Sequence, residues 1–220
     1  MTRVKVCGLT SEEDLETTVA AGADAVGFIA DVPVDTPREV DSCTAADLVA
    51  ATPPFVTTTL VLMPESPSHA VTLARTIQPD VLQLHCDFDR EELQFVRAES
   101  STKLVVTVDA TEGERAHDLD DVADALLVDS TTDDGAGGTG ETHDWDATRD
   151  LASALDSPVI LAGGLTPDNV AEAVTTAEPY GVDVASGVES DGGTKDARAV
   201  HAFVRAVRQA DAEGEGEVAV

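Results

Sequence analysis

Lysine is nearly missing from this chain. Its 220 residues contain only Lys5, Lys103 and Lys195, and all cations together number 13 against 43 acidic residues, a net charge of −30. A surface this acidic repels nucleic acid and anionic membranes, so neither is expected as a partner. It also repels itself. Screening reaches about 8 Å at 0.15 M salt and about 3 Å at 1 M, so the surface suits a salt-rich cytoplasm. Cysteine is scarce too. Cys7, Cys43 and Cys86 are odd in number and not spaced as CxxC, so neither a disulfide framework nor a zinc site is indicated. No apolar run approaches the ~18 residues of a membrane span. The opening Met1–Cys7 reads as a strand rather than a signal peptide, so a soluble cytoplasmic protein is expected.

What is present is a full apolar complement, 42% of residues, arranged as a repeat. Short β-branched runs fall at 3–7, 24–30, 56–62, 80–85, 103–108, 125–129, 158–162 and 181–185. Stretches of helical period separate most of them. In the last stretch Val200, Phe203, Val204 and Val207 fall at i, i+3, i+4, i+7. Thr10 and Glu13 read as a capping box, Gly22 as a left-handed helix stop, and Thr166-Pro167 as an N-cap with an N1 proline. Eight alternating units predict an α/β fold, a single (β/α)₈ barrel over residues 1–210. The alternative is an open doubly wound sheet, disfavoured because no GxGxxG opens the first helix. Residues 211–220, poor in apolar side chains, read as an acidic flexible tail.

A barrel places its chemistry at the carboxyl ends of its strands. Strand alternation turns Lys5 and Cys7 into the barrel and Val4 and Val6 toward the helices. Cys7 then stands at the top of strand 1. Read blandly it is a small buried hydrophobe. An inward charged neighbour favours a functional thiol. Asp129 ends strand 6, either capping its loop or offering a carboxylate to the site. The loop beyond it, 135–145, is glycine-dense and includes Gly140, reading either as a linker or as a loop that closes on ligand. Gly163 and Gly164 after strand 7, with Ser186 and Gly187 after strand 8, form the pair of turns where barrels hold phosphate. His85 ends strand 4 as a wall group of the site. Arg38 follows strand 2 and is suited to grip a carboxylate with two parallel hydrogen bonds.

Together these residues resemble the phosphoribosylanthranilate isomerase family nearly end to end, from Arg3 to about Arg208. The resemblance is carried by Lys5-Val6-Cys7-Gly8-Leu9-Thr10, Gly22–Phe28, Pro37-Arg38, Gln83-Leu84-His85, Gly138-Thr139-Gly140 with Asp144-Trp145, Gly163-Gly164-Leu165 with Pro167 and Asn169-Val170, and Val182-Asp183-Val184 with Ser186–Glu189. It implies an Amadori rearrangement of N-(5-phosphoribosyl)anthranilate in tryptophan biosynthesis, with no metal and no organic cofactor. By family pattern Asp129 is the general acid, Cys7 the general base and Arg38 the carboxylate ligand. The Gly163/Gly164 and Ser186/Gly187 loops hold the phosphate. The partner is thus a small anionic phosphosugar, and the assembly a monomer or homodimer. The sequence departs from the family at residues 30–36 before Pro37-Arg38, at Asp109, at Cys86 and at His143.

A free thiol titrates near ~8.5, so Cys7 needs help to act as a base at neutral pH. Barrel closure makes strand 8 a neighbour of strand 1, so a Lys5–Asp183 pair beneath Cys7 is expected to tune it. Rival readings are weaker. A metal-dependent pentose-phosphate epimerase needs more clustered His and Asp than five scattered histidines offer. A histidine-pathway isomerase wants an Asp where Cys7 stands, although Asp109 lies near its second position. A catalytically dead phosphate binder would lack Cys7 or Asp129.

Overall fold

A computed structural model describes residues 1–129 and 145–217. Eight parallel strands close into a barrel in chain order: β1 (Arg3–Cys7), β2 (Ala25–Ile29), β3 (Thr57–Leu62), β4 (Val81–Leu84), β5 (Lys103–Asp109), β6 (Ala125–Asp129), β7 (Val159–Ala162) and β8 (Gly181–Val184). The closing pair sets Lys5 opposite Asp183 and Val6 opposite Val184. One helix follows each strand: α1 (Glu12–Ala21), α2 (Ser42–Ala51), α3 (Pro67–Ile77), α4 (Arg90–Ser100), α5 (Gly113–Leu119), α6 (Trp145–Ala154), α7 (Val170–Ala177) and α8 (Ala197–Glu217). Between β8 and α8 lie a 3₁₀ turn (Ser186–Val188) and a small antiparallel hairpin, β9 (Glu189–Asp191) and β10 (Thr194–Lys195). Among the described residues no helix is long and apolar enough to cross a membrane.

Most of the apolar core lies between barrel and helices. Val4 and Val6 are fully buried there, and so are Val200, Phe203 and Val207 of the α8 stripe. Burying each such side chain is worth roughly 1.5–3 kcal/mol. The barrel interior is narrower and divided. Val105, Ala125, Leu127 and Ala162 make its apolar side. Lys5, Thr59, Gln83 and Asp183 are the buried polar residues facing them.

The amino end of the barrel is tied by a repeated device. Asp24, Asp80 and Asp124, each just before an even-numbered strand, accept the backbone N–H of Val4, Thr58 and Leu104 on the preceding strand, at 2.8, 2.9 and 2.9 Å. Part of the acidic composition is therefore structural.

Three local expectations are corrected. The N-cap of α1 is Ser11, whose hydroxyl accepts from the Asp14 N–H, and not Thr10 in a box with Glu13. Thr10 instead donates its hydroxyl to the Gly193 carbonyl of the hairpin at 3.0 Å. Helix α7 starts at Val170 after Asn169, because Thr166–Asn169 closes a turn in which the Thr166 N–H donates to Asn169 Oδ1 at 2.8 Å. Helix α8 runs past residue 210, where a flexible tail was expected to begin. The Asp211 carboxylate accepts both the N–H and the hydroxyl of Thr2 at 2.8 Å, which fixes that turn. The stop at Gly22 is left-handed as expected, with φ 88°.

Candidate active site

A cavity of about 250 Å³ opens at the carboxyl end of the barrel. Its wall includes Cys7, Arg38, His85, Asp129 and Asp183, together with Gly163, Gly164, Ser186 and Gly187. These positions are spread over 180 residues of chain and are brought together because they lie at the carboxyl ends of the strands or in the loops after them. Gly140, His143 and the rest of the glycine-dense loop up to Asp144 lie outside the described residues. Trp145, which ends that loop, is buried at the start of α6. A larger cavity of about 510 Å³ sits at the opposite, amino end of the barrel. It contains neither the thiol nor Asp129, and the cations at its rim, Arg3 and Lys103, are committed to Asp24 and Asp124.

Cys7 is 5% exposed and sits against β2 at a glycine. A Cβ on Gly27 would lie 2.7 Å from the Cys7 sulfur, so only glycine leaves room for the thiol. One tier below, Lys5 Nζ donates to Asp183 Oδ2 at 2.8 Å, with both side chains under a tenth exposed. The influences on the thiol oppose each other. Burial is the largest and pushes its pKa up, while the Lys5 ammonium pulls it down and Asp183 adds to the rise. The net direction is upward. The pull of the Lys5 ammonium is smaller than the burial that opposes it.

His85 faces the same cavity from β4. Gln83 Nε2 donates to its Nε2 at 3.0 Å, which leaves the proton of the neutral ring on Nδ1. Burial, and then the positive charge of Lys5, lowers its pKa to about 4. It is a neutral imidazole at physiological pH. Asp129 stands beside Asp109 in the register of β6 with β5. Asp109 is turned to its own loop, where Oδ1 accepts the N–H and hydroxyl of Thr111 at 2.7 and 2.6 Å. The rival histidine-pathway reading wants Asp at the ends of strands 1 and 5, and Cys7 holds the first of those places.

The two glycine turns pack on one another. A Cβ on Gly187 would lie 1.9 Å from the Leu165 carbonyl oxygen, so the turns after β7 and β8 share one wall. Arg38 is not loose. Its Nε and Nη2 donate to Glu189 Oε1 and Oε2 at 2.8 and 2.9 Å. Glu189 also accepts from Lys195 Nζ at 2.8 Å, and the Lys195 side chain is fully buried. The sequence reading assigned no site role to Glu189 or Lys195. The one signal in the sequence is scarcity: Lys195 is one of only three lysines, and like Lys5 it is held in a buried ion pair.

A closed parallel barrel with its reactive groups and paired glycine turns gathered at the carboxyl end is the build of a β/α-barrel enzyme. Comparison with known proteins narrows this class. Residues 4–206 match the family model described as N-(5′-phosphoribosyl)anthranilate (PRA) isomerase. The chain belongs to that family of isomerases. It is 65% identical over 210 residues to the N-(5′-phosphoribosyl)anthranilate isomerase of Haloferax volcanii, covering 96% of this chain and 95% of that one. The acidic composition fits this haloarchaeal relative. Among solved structures, the phosphoribosyl anthranilate isomerase of Thermotoga maritima superposes with a TM-score of 0.85 at 31% identity, over 95% of this chain and all of that one. A second, at TM-score 0.81 and 29% identity over the same shares, is a complex with reduced 1-(o-carboxyphenylamino)-1-deoxyribulose 5-phosphate.

Proposed function

We propose that the protein converts N-(5′-phosphoribosyl)anthranilate to 1-(2-carboxyphenylamino)-1-deoxyribulose 5-phosphate in tryptophan biosynthesis. The observation that carries the reading is the single cavity on which Cys7, Asp129, Arg38 and both glycine turns open. Those groups match the parts of the substrate. The backbone N–H groups of Gly163, Gly164, Ser186 and Gly187 suit a phosphate. Arg38 suits the anthranilate carboxylate, and the ligand named in the complexed relative carries an aryl carboxylate of that kind.

Asp129, as general acid, gives a proton to the ribose ring oxygen as the C1′–O bond breaks. The nitrogen lone pair forms the C1′=N iminium. Cys7, as general base, takes the C2′ proton; the electrons of that C–H bond become the C1′=C2′ bond of an enolamine as the C1′=N pair returns to nitrogen. Tautomerisation then moves a proton from the C2′ hydroxyl to C1′ and gives the ketose, and the proton taken by Cys7 replaces the one given by Asp129. The number of protons is unchanged overall, so no oxidant or reductant enters.

The buried thiol is the demanding part. Its raised pKa makes the thiolate a strong base but a rare one. A positive charge on the substrate favours the thiolate as Lys5 does, so the iminium promotes formation of the base that consumes it. His85, neutral and oriented by Gln83, forms a polar wall without adding charge.

The test is direct. Purified protein in molar KCl is given N-(5′-phosphoribosyl)anthranilate, and loss of its fluorescence is followed. Turnover is expected; a protein that is folded and inert toward this substrate would overturn the proposal.

A further inference from the structure

The β9–β10 hairpin follows the phosphate-side turn and reaches both the segment around Arg38 and the start of α1. Glu189 is its first residue and Lys195 its last. The Glu189 carboxylate, 5% exposed, is filled by donors. Oε1 accepts from Arg38 Nε and Lys195 Nζ, each at 2.8 Å. Oε2 accepts from Arg38 Nη2 at 2.9 Å and from the Gly193 N–H at 3.3 Å. The tip of the hairpin presses on the residue before Arg38. Gly193 has φ 80°, and a Cβ there would lie 2.3 Å from the Pro37 carbonyl oxygen. The base is anchored behind Cys7, where the Lys195 N–H donates to Asp14 Oδ1 at 2.9 Å and the Thr10 hydroxyl to the Gly193 carbonyl at 3.0 Å.

This geometry leaves one side of the guanidinium for a ligand. Nε and one Nη2 proton are used by Glu189, and Nη1 has no hydrogen bond among the described residues. The remaining Nη1–Nη2 edge can meet a carboxylate with two parallel bonds. Charge matters as well as direction. Arg38 and Glu189 alone would cancel; Lys195 restores one net positive charge to the cluster.

We propose that Glu189, backed by the buried Lys195, is the positioning residue that aims the free edge of Arg38 at the substrate's aryl carboxylate. The inference rests on the reading that Arg38 receives that carboxylate. Glu189 does not touch substrate; it acts through Arg38. The hairpin is therefore a specificity device, and its two ends supply the clamp and the compensating charge.

The experiment is a set of steady-state measurements with N-(5′-phosphoribosyl)anthranilate in molar KCl on wild type, Glu189→Gln, Glu189→Asp, Arg38→Met and the double variant Arg38→Met/Glu189→Gln. Glu189→Gln makes the cluster more positive, so electrostatic attraction alone would lower KM. Loss of aim raises it instead, by roughly tenfold with kcat changed less than about threefold, since ground-state and transition-state binding suffer alike. Glu189→Asp keeps the charge, withdraws the carboxylate by one methylene, and is expected to raise KM in the same sense. It carries the test should the glutamine variant fold poorly. In the Arg38→Met background the Glu189→Gln change is expected to add nothing further. An unchanged or lowered KM in both Glu189 variants overturns the proposal, and so does an equal rise with Arg38 already removed. If Arg38→Met itself leaves KM unchanged, the carboxylate reading falls, and the clamp proposal falls with it for that separate reason.

Discussion

Replacing Lys5 by Met should raise the pKa of the Cys7 thiol. Residues i and i+2 of a strand stand about 6.6 Å apart. At an effective dielectric of about 20, a unit charge at that distance is worth about 2.5 kcal/mol, and more where the two groups approach closer. Asp183 lies one hydrogen bond of 2.8 Å from the ammonium. Placed correspondingly farther from the sulfur, it takes back about 1.8 kcal/mol. The intact pair therefore lowers the thiol less than Lys5 alone would, and burial outweighs it. Lys5→Met removes the favourable charge and leaves the unfavourable one. The expected shift is upward, and larger than in Lys5→Met/Asp183→Leu, which removes both charges. Each unit lowers the thiolate fraction, and kcat/KM at pH 7, about tenfold, with recovery at higher pH. The assay is the pH dependence of Cys7 alkylation, read by peptide mass spectrometry with the exposed Cys43 as internal reference. A Cys7 profile unmoved in Lys5→Met, or moved downward, would refute the reasoning.

Further outcomes follow from the same contacts. Asp183→Ala strands Lys5 in the barrel and should cost about 3–5 kcal/mol in urea unfolding. Glu99→Ala, which breaks the exposed Arg75–Glu99 pair, should cost under about 1 kcal/mol; equal costs would mean that the buried pair is not desolvated. His85 has a folded pKa of about 4 against an ordinary 6.5, so the unfolded chain binds the extra proton between those values. Stability is then complete above pH 6.5 and declines toward pH 4, by at most about 3 kcal/mol. His85→Gln should flatten that part of the pH–stability curve, and an identical slope would contradict the assignment. Gly187→Ala forces a Cβ into the Leu165 carbonyl and should separate the two glycine turns. KM is expected to rise about 5- to 150-fold from a strain of 1–3 kcal/mol; an unchanged KM would remove those turns from substrate binding.

Much of the fold was legible because a parallel barrel writes a simple code. Each strand is apolar toward the helices and short, so its run stands out between amphipathic stretches, and all eight runs lie within a residue or two of the observed strands. Closure supplied one long-range fact: if β1 pairs with β8, Lys5 meets Asp183, as it does in register. The failures are equally physical. Thr10 and Ser11 can both cap α1, and only the third dimension shows Thr10 taken by the hairpin. The α8 extension through 211–217 runs against glycine propensity and depends on Asp211 finding Thr2, a partner 209 residues away. Strands of three and two residues carry no periodicity, so the β9–β10 hairpin could not be read, and Glu189 with it. Nor could the balance at Cys7. Sequence revealed the lysine that lowers the thiol's pKa but not the burial that outweighs it.

The central claim is that one thiol and one carboxylate across a single cavity perform the two proton transfers. Single-turnover conversion of N-(5′-phosphoribosyl)anthranilate by wild type, Cys7→Ala and Asp129→Ala, in molar KCl with substrate binding measured separately, tests it most directly. The account predicts that each substitution slows the chemical step by about 10²–10⁴-fold while the ligand still binds. A chemical step that keeps its wild-type rate in either variant would contradict it.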